Sequence, residues 1–238
     1  MCETLFITGT DTGVGKTVLA ALLTRFLHVR KANVAALKPV CSGGRGDARV
    51  LRAASNGALS LDEINPWHFH APVAPLLAAR RERRRVLLAD VVAHVRAMQK
   101  RFDWLLVEGA GGLLSPLGLY DDRHRRPSQH WTGLRNKSFD SRDLIVALGA
   151  TAIIVCPNRL GAVNQALVTL EALPRRVRSR ARVVLVSPGR PDFSGTANAK
   201  LLGEFFDARR VLVLPWLGKK CFAPDGAARK VLRALTRI

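Results

Sequence analysis

An α/β fold with a doubly wound, mainly parallel sheet flanked by helices is predicted by three observations. Short strand-like runs are apolar throughout, amphipathic helical stretches separate them, and a glycine-rich turn joins the first such run to the first helix. Strands buried on both faces and alternating with helices indicate a parallel sheet covered on each side. A chain of 238 residues suits one domain with an ample core. No internal repeat and no linker rich in Gly, Ser or Pro divides it, so residues 1–238 are expected to form a single domain.

Leu5-Phe6-Ile7 reads as the first strand. A helix is predicted over about 15–30, with Val18, Leu19, Leu22, Leu23, Phe26 and Leu27 on one face. Residues 34–37 form a second strand, ended by Pro39, and helices are predicted over 47–54 and 87–100. A third strand at 104–107 closes on Glu108-Gly109. Apolar strands follow at 152–155, 183–186 and 211–214, with helices over about 161–173 and 196–206 between them. Residues 118–137 break the alternation, being polar, basic and aperiodic, and are read as a loop insertion.

The glycine turn is GTDTGVGKT, Gly9 to Thr17. A strand, a glycine turn and a helix form the setting of a phosphate-binding P-loop, where backbone N–H groups and the helix terminus face the phosphates. Lys16 is placed to reach the β/γ oxygens and the Thr17 hydroxyl to ligate Mg²⁺. Gly9 precedes Gly15 by six positions, and Thr10 stands where the usual pattern has its first glycine. A second cluster, KPVCSGG (Lys38 to Gly44), ends the second strand, at the sheet edge where such folds bind ligands. Lys38 there either neutralises charge passing between two anions or merely ends a strand, and Ser42 is a candidate donor to an anion. The third cluster, VEGAGG (Val107 to Gly112), offers Glu108 as a Mg²⁺ carboxylate and glycines that let backbone approach a ligand. Asp47, opening a helix, is either a second metal carboxylate or a helix N-cap.

The chain carries 38 Lys and Arg, nine of them Lys, against 18 Asp and Glu, for a formal charge of +20. Such a field draws phosphates, carboxylates or nucleic acid and says nothing of fold. The four cysteines, Cys2, Cys41, Cys156 and Cys221, are far apart and form no C-x-x-C pair, which points to a reduced, cytoplasmic setting. No signal peptide or membrane span is expected. His68, His70, His124 and His130 lack the acid or Cys spacing of a zinc site. The paired arginines, as at 80–81, 175–176 and 209–210, read as solvated surface or helix-end compensation. Tyr120 and Trp131 could stack bases, but with 6% aromatics and no recognised module the sequence counts against a nucleic-acid partner.

GTDTGVGKT, KPVCSGG, GDARVL and VEGAGG, in that order, resemble the dethiobiotin synthetase family. The likeness extends through LGAVNQALVTLEAL (160–173) and LPWLG (214–218), covers most of the chain outside 118–137, and includes the altered P-loop spacing. The resemblance implies a homodimeric, cytoplasmic, P-loop ligase of biotin synthesis that uses ATP and Mg²⁺. It would join CO₂ or bicarbonate to 7,8-diaminononanoate (7,8-diaminopelargonate) through a carbamate and a carbamic-phosphoric anhydride. By the same resemblance Lys16 and Lys38 bridge carbamate and γ-phosphate, Thr12 and Ser42 help hold them, and Thr17, Asp47 and Glu108 bind Mg²⁺. Gly13, Val14, Gly15, Lys16, Thr17 and Val18, with Ser187, Pro188, Pro215 and Leu217, would bind the nucleotide. Gly111 and Gly112 would lie beside the substrate together with Lys38 and Ser42. Leu160, Gly161 and Asn164 would reach its carboxylate end from a partner subunit, although Asn164 equally suits a helix cap.

Three positions depart from the family pattern. Ser187-Pro188-Gly189 replaces an Asn-Asp pair that often binds adenine, so base recognition would rest on backbone contacts. Gly13 replaces an acidic residue of some members, and Leu76 a frequent His. Two alternatives share the P-loop: a nucleotide-dependent DNA-binding ATPase of the partitioning type, and a related amide-forming ligase. KPVCSGG and VEGAGG count against the first, and the absence of an added glutaminase domain against a cofactor-diamide synthetase of the second kind.

Overall fold

The structure, a computed structural model, describes residues 2–121, 138–190, 192–218 and 226–236. The interior of the 118–137 segment, with Arg123, His124, Arg125, Arg126, His130 and Trp131, lies outside the described residues, as does Cys221.

Ten strands and ten α-helices follow one another along the described residues. They run β1 (Glu3–Gly9), α1 (Lys16–Val29), β2 (Val34–Leu37), β3 (Val40–Ser42), α2 (Gly46–Ala54), α3 (Leu61–Ile64), β4 (Trp67–Phe69), α4 (Pro75–Arg81), α5 (Leu88–Gln99) and β5 (Trp104–Glu108). The second half runs β6 (Gly118–Leu119), β7 (Ser138–Phe139), α6 (Ser141–Leu148), β8 (Thr151–Pro157), α7 (Ala162–Glu171), α8 (Arg175–Arg178), β9 (Arg182–Val186), α9 (Asn198–Phe205), β10 (Val211–Leu214) and α10 (Gly226–Leu235). Six strands form one sheet in the order β10-β9-β8-β1-β5-β2, every pair parallel, as the sequence predicts. Leu5, Phe6 and Ile7 of the central β1 are fully buried, because helices cover both faces of the sheet. From β1 the chain builds outward to β2 on one side and later to β8 on the other. The turn after β1 therefore opens at the point where the winding reverses, the place where such sheets bind ligands.

Several elements were not predicted. After Pro39 the chain leaves the main sheet and pairs β3 with β4 in a small parallel ladder. Pro75 supplies the first position of α4, where its missing N–H costs nothing. Residues 118–119 are not loop: β6 pairs antiparallel with β7 and draws together the two ends of the segment at 122–137. Gly118 is required there, since a Cβ would meet the Val86 carbonyl and the Phe139 ring. Asp140 then caps α6 in a reciprocal capping box with Asp143, and Gly149 ends that helix in a left-handed conformation. Among the described residues, no helix is long and apolar enough to cross a membrane.

Candidate active site

The turn after β1 is shaped by its glycines. Gly13 and Gly15 have φ of 74° and 98°, a left-handed backbone that other residues adopt at a cost. Gly15 lies against the Val186 side chain at the end of β9, so the Ser187-Pro188 segment starts beside the loop. Lys16 is buried and donates its ammonium to the Asp11 carbonyl at 2.7 Å, folding back across the loop that it closes. Burial lowers its pKa to about 8, with the Glu108 charge acting in the opposite sense. Thr12 and Gly13 stand exposed at the rim, Val14 is buried, and Thr17 and Val18 are half-buried at the start of α1.

Beneath the loop is a buried cluster of charges. The Lys38 ammonium, carried to the end of β2, contacts Glu108 Oε1 at 2.6 Å and also pairs with Asp47 Oδ2. Thr17 Oγ1 donates to the same Glu108 oxygen at 2.8 Å. Glu108 is 1% exposed in its side chain and Lys38 7%, whereas Asp47 is 51% exposed and reaches in from the surface. Burial works against the Lys38 charge, yet the Glu108 and Asp47 carboxylates outweigh it and hold the ammonium above its ordinary pKa. Glu108 is pushed up by burial, which the Lys38 charge only partly offsets. Its second oxygen, Oε2, is buried without a hydrogen-bond partner. Asp47 is not the N-cap of α2: Arg45 holds that position without a side-chain cap bond, which leaves Asp47 to Lys38.

Oxygen donors from Thr17, Glu108 and Asp47 suit a hard cation, and the Lys38 ammonium already lies between the two carboxylates as a stand-in positive charge. Among the described residues there is no group of three or more His, Cys, Asp or Glu able to hold a metal alone. Mg²⁺ fits that limit, because it takes one or two carboxylates and completes its shell with phosphate oxygens and water.

The loop after β5 lies against the P-loop. The Leu113 N–H donates to the Gly9 carbonyl at 3.1 Å, and Gly112 faces the Thr10 carbonyl with room for no more than a strained Cβ. Gly111 has φ of 69°, and a Cβ there would collide with Ser115 Oγ. Thr12 Oγ1 lies 3.7 Å from the same point, so Thr12, Gly111 and Gly112 share one rim.

Other predicted residues lie elsewhere or are already engaged. Ser42 is at the end of β3 and its hydroxyl donates to the Val73 carbonyl at 2.6 Å. Leu160, Gly161 and Asn164 lie exposed at the start of α7; Gly161, with φ of 90°, is the N-cap, so Asn164 is not. The Leu160 N–H is held by Asp192 at 2.7 Å. On the nucleotide side, the Ser187 N–H donates to the Leu214 carbonyl at 2.9 Å, which joins Ser187-Pro188 to Pro215 and Leu217.

Two residues escaped the sequence reading. The indole of Trp216, 62% exposed, covers Gly189, where a Cβ would lie 3.0 Å from the ring. The buried Asn65 donates to the Lys38 carbonyl at 2.7 Å and accepts from Cys41 Sγ at 3.2 Å, fixing the backbone that carries Lys38. An Asn before a proline signals a turn, and nothing in its pattern signals this longer-range role.

Residues 3–122 match the AAA domain family. The ATP-dependent dethiobiotin synthetase BioD of Anaeromyxobacter dehalogenans (strain 2CP-C) is 39% identical over 217 residues, covering 89% of each chain. The BioD of Thermodesulfovibrio yellowstonii is 32% identical over 222 residues, covering 89% of this chain and 88% of its own. Among solved structures, a ParA family ATPase from Chlorobium tepidum TLS superposes with a TM-score of 0.57 at 14% identity, covering 99% of this chain and 100% of that one. At that identity the likeness concerns the fold alone. Sequence identity across nine-tenths of the chain is of another order, and by it the chain belongs to the dethiobiotin synthetase family.

Proposed function

We propose that the chain is an ATP- and Mg²⁺-dependent dethiobiotin synthetase, a single-domain ligase that joins CO₂ to 7,8-diaminononanoate and closes the ureido ring. The observation that carries the reading is the buried Lys38–Glu108 pair, tied to Thr17 beneath a P-loop whose lysine is itself buried. The reaction makes three demands. One amine attacks CO₂ and loses a proton, giving a carbamate. A carbamate oxygen attacks the γ-phosphorus and breaks its bond to ADP, giving a carbamic-phosphoric anhydride. The second amine attacks the carbonyl carbon, phosphate leaves, and the ring is closed. Two anions must meet before the phosphoryl group transfers, so placed positive charge is needed more than a nucleophile.

Lys38 stays an ammonium across the neutral range and serves as that fixed charge, with Lys16 on the phosphate side of the same site. Thr17, Glu108 and Asp47 would hold Mg²⁺, which when bound neutralises charge on the β- and γ-phosphate oxygens. Thr12 faces the carbamate from the rim. Ser42 retains acceptor capacity while its proton is given to Val73, and so steadies an amine as readily as it would an anion once turned. Gly111 and Gly112 let the backbone approach the diamine. Residues 13–18, with Ser187, Pro188, Pro215 and Leu217, frame the nucleotide. Leu160, Gly161 and Asn164 are exposed and free to enter a partner's site in a cytoplasmic homodimer, where they would meet the substrate carboxylate.

Purified protein supplied with 7,8-diaminononanoate, bicarbonate, Mg²⁺ and ATP is expected to form dethiobiotin, and Lys38→Ala to abolish it. Absence of product with every nucleoside triphosphate tested would overturn the proposal.

A further inference from the structure

The site described above occupies the carboxyl edge of the sheet. The opposite edge gathers arginines that are scattered along the sequence. Arg182 opens β9, and Arg210 precedes Val211, whose partner in the ladder is Val183, so the two guanidinium groups start adjacent parallel strands. Arg182 donates to the Ala234 carbonyl at 2.7 Å, bringing the last turn of α10 to this edge. Arg233, the residue before Ala234, lines a cleft of about 340 Å³ with Leu27, Arg30 and Thr236. Arg180 and Arg209 are exposed just before Arg182 and Arg210. A carboxylate, Asp207, faces the row, at 3.1 Å from Arg209 and 3.4 Å from Arg210. Burial and the nearby Arg210 charge both lower the Arg182 pKa, a sign of positive charges crowded together.

We infer that this amino edge is a second binding site of the protein, a cleft and row of arginines that takes the phosphodiester backbone of a nucleic acid. Compensation of helix ends does not account for it. The C-termini of α1, α8, α9 and α10 meet this edge, and each offers about half a negative charge, or about two in all. Six arginines stand against that and the carboxylate paired with the row, Asp207. Guanidinium is the group suited to phosphate, which it grips through two parallel N–H bonds. A row of such groups matches a polymer of repeating charge rather than one small anion. The recess formed by Arg30 and Arg233 admits a protruding phosphate strand, whereas a flat anionic bilayer would meet only its rim.

The test is fluorescence anisotropy with a short labelled DNA duplex over a range of about 50–200 mM salt. Binding is expected to weaken by roughly a thousandfold over that range if about six phosphates are engaged. The variant Arg30→Glu/Arg180→Glu/Arg233→Glu should bind at least about tenfold more weakly, with the log–log salt slope reduced by about three. Arg80→Glu/Arg81→Glu/Arg85→Glu removes equal charge elsewhere and should bind like the unaltered protein. No duplex binding at the lowest salt, equal losses in both variants, or binding to phosphatidylserine vesicles without binding to duplex would each overturn the inference. Thermal midpoints certify the fold of both variants; should the Glu variant unfold, the corresponding Arg→Gln triple carries the same expectation. Neither readout depends on dethiobiotin formation, so this inference and the proposed ligase activity fail separately.

Discussion

Replacing Lys38 with Met separates what the buried charge does for folding from what it does for chemistry. The substitution keeps the length and apolar stem of the side chain and removes one ammonium that faces two carboxylates. Asp47 is half exposed, so loss of that pair costs about 0–1 kcal/mol. Glu108 is different, because at 1% exposure its carboxylate is left with no cation in contact. Removal of one partner from a buried pair costs about 3–5 kcal/mol, which in a chain of this size lowers the thermal midpoint by roughly 10 °C. Glu108 already titrates above the ordinary carboxylate range, and without Lys38 it rises further. A carboxyl whose folded pKa is raised contributes stability below its unfolded value near about 4.3 and loses it as pH climbs through the folded value. The deficit should therefore be largest near about pH 8 and shrink toward about pH 5. The double variant Lys38→Met/Glu108→Gln should regain most of the lost stability at pH values near 8 and none of the turnover. Calorimetry or circular dichroism at both pH values reads the first quantity, and dethiobiotin formation the second. A Lys38→Met protein as stable as the unaltered one at alkaline pH, or a double variant no more stable than the single, would refute the buried-pair argument.

With a pKa of about 8 in the free protein, Lys16 should give kcat/KM for ATP an alkaline limb near that value, because the neutral amine no longer attracts phosphate. A flat profile to about pH 9.5 would contradict it. Gly111→Ala should cost about 2 kcal/mol in urea denaturation, from a left-handed residue and displacement of Ser115 Oγ, which accepts the Gly112 N–H at 3.0 Å. Asp140 caps α6 with its carboxyl raised to about 6, first by burial and then by the Asp143 charge. Its charge thus opposes folding as pH rises through that value, and Asp140→Asn, which keeps a cap, should raise the thermal midpoint at about pH 8 by more than at about pH 4.5.

The six strands of the main sheet were legible because burial on both faces leaves few polar residues in each, as in Leu5-Phe6-Ile7 and residues 152–155. β3 and β4 were not, since three residues are too few to show a period and Pro39 masks the change of sheet. α4 was hidden by the prolines before it, one of which starts the helix. At the site, residue types and spacing brought out Lys16, Thr17, Lys38, Asp47 and Glu108, whose side chains the fold gathers at one end of the sheet. Partnership was the illegible part. Asp47 read equally as cap or ligand until its pairing with Lys38 was seen, and Ser42 gave no sign of its bond to Val73. Periodicity tells which face a residue takes, but a contact spanning 70 positions, such as Lys38 to Glu108, depends on strand order.

The Lys38–Glu108 pair is a poor device for stability alone. Both ions are desolvated, and an apolar pair of similar volume would serve a core as well or better. Moreover, Glu108 Oε2 is buried without a donor, a defect worth about 1–3 kcal/mol in a purely structural pair. Such a defect is tolerable where the free lone pairs face a cation that arrives with the substrate. Asp47, half exposed on the other side of the same ammonium, is the second carboxylate of the proposed Mg²⁺ set. If the proposed chemistry holds, the energetic shortfall and the chemistry have one origin. On the proposed reading, positive charge is held where two anions would meet, and Glu108 Oε2 is left for a bond that the ligands would supply.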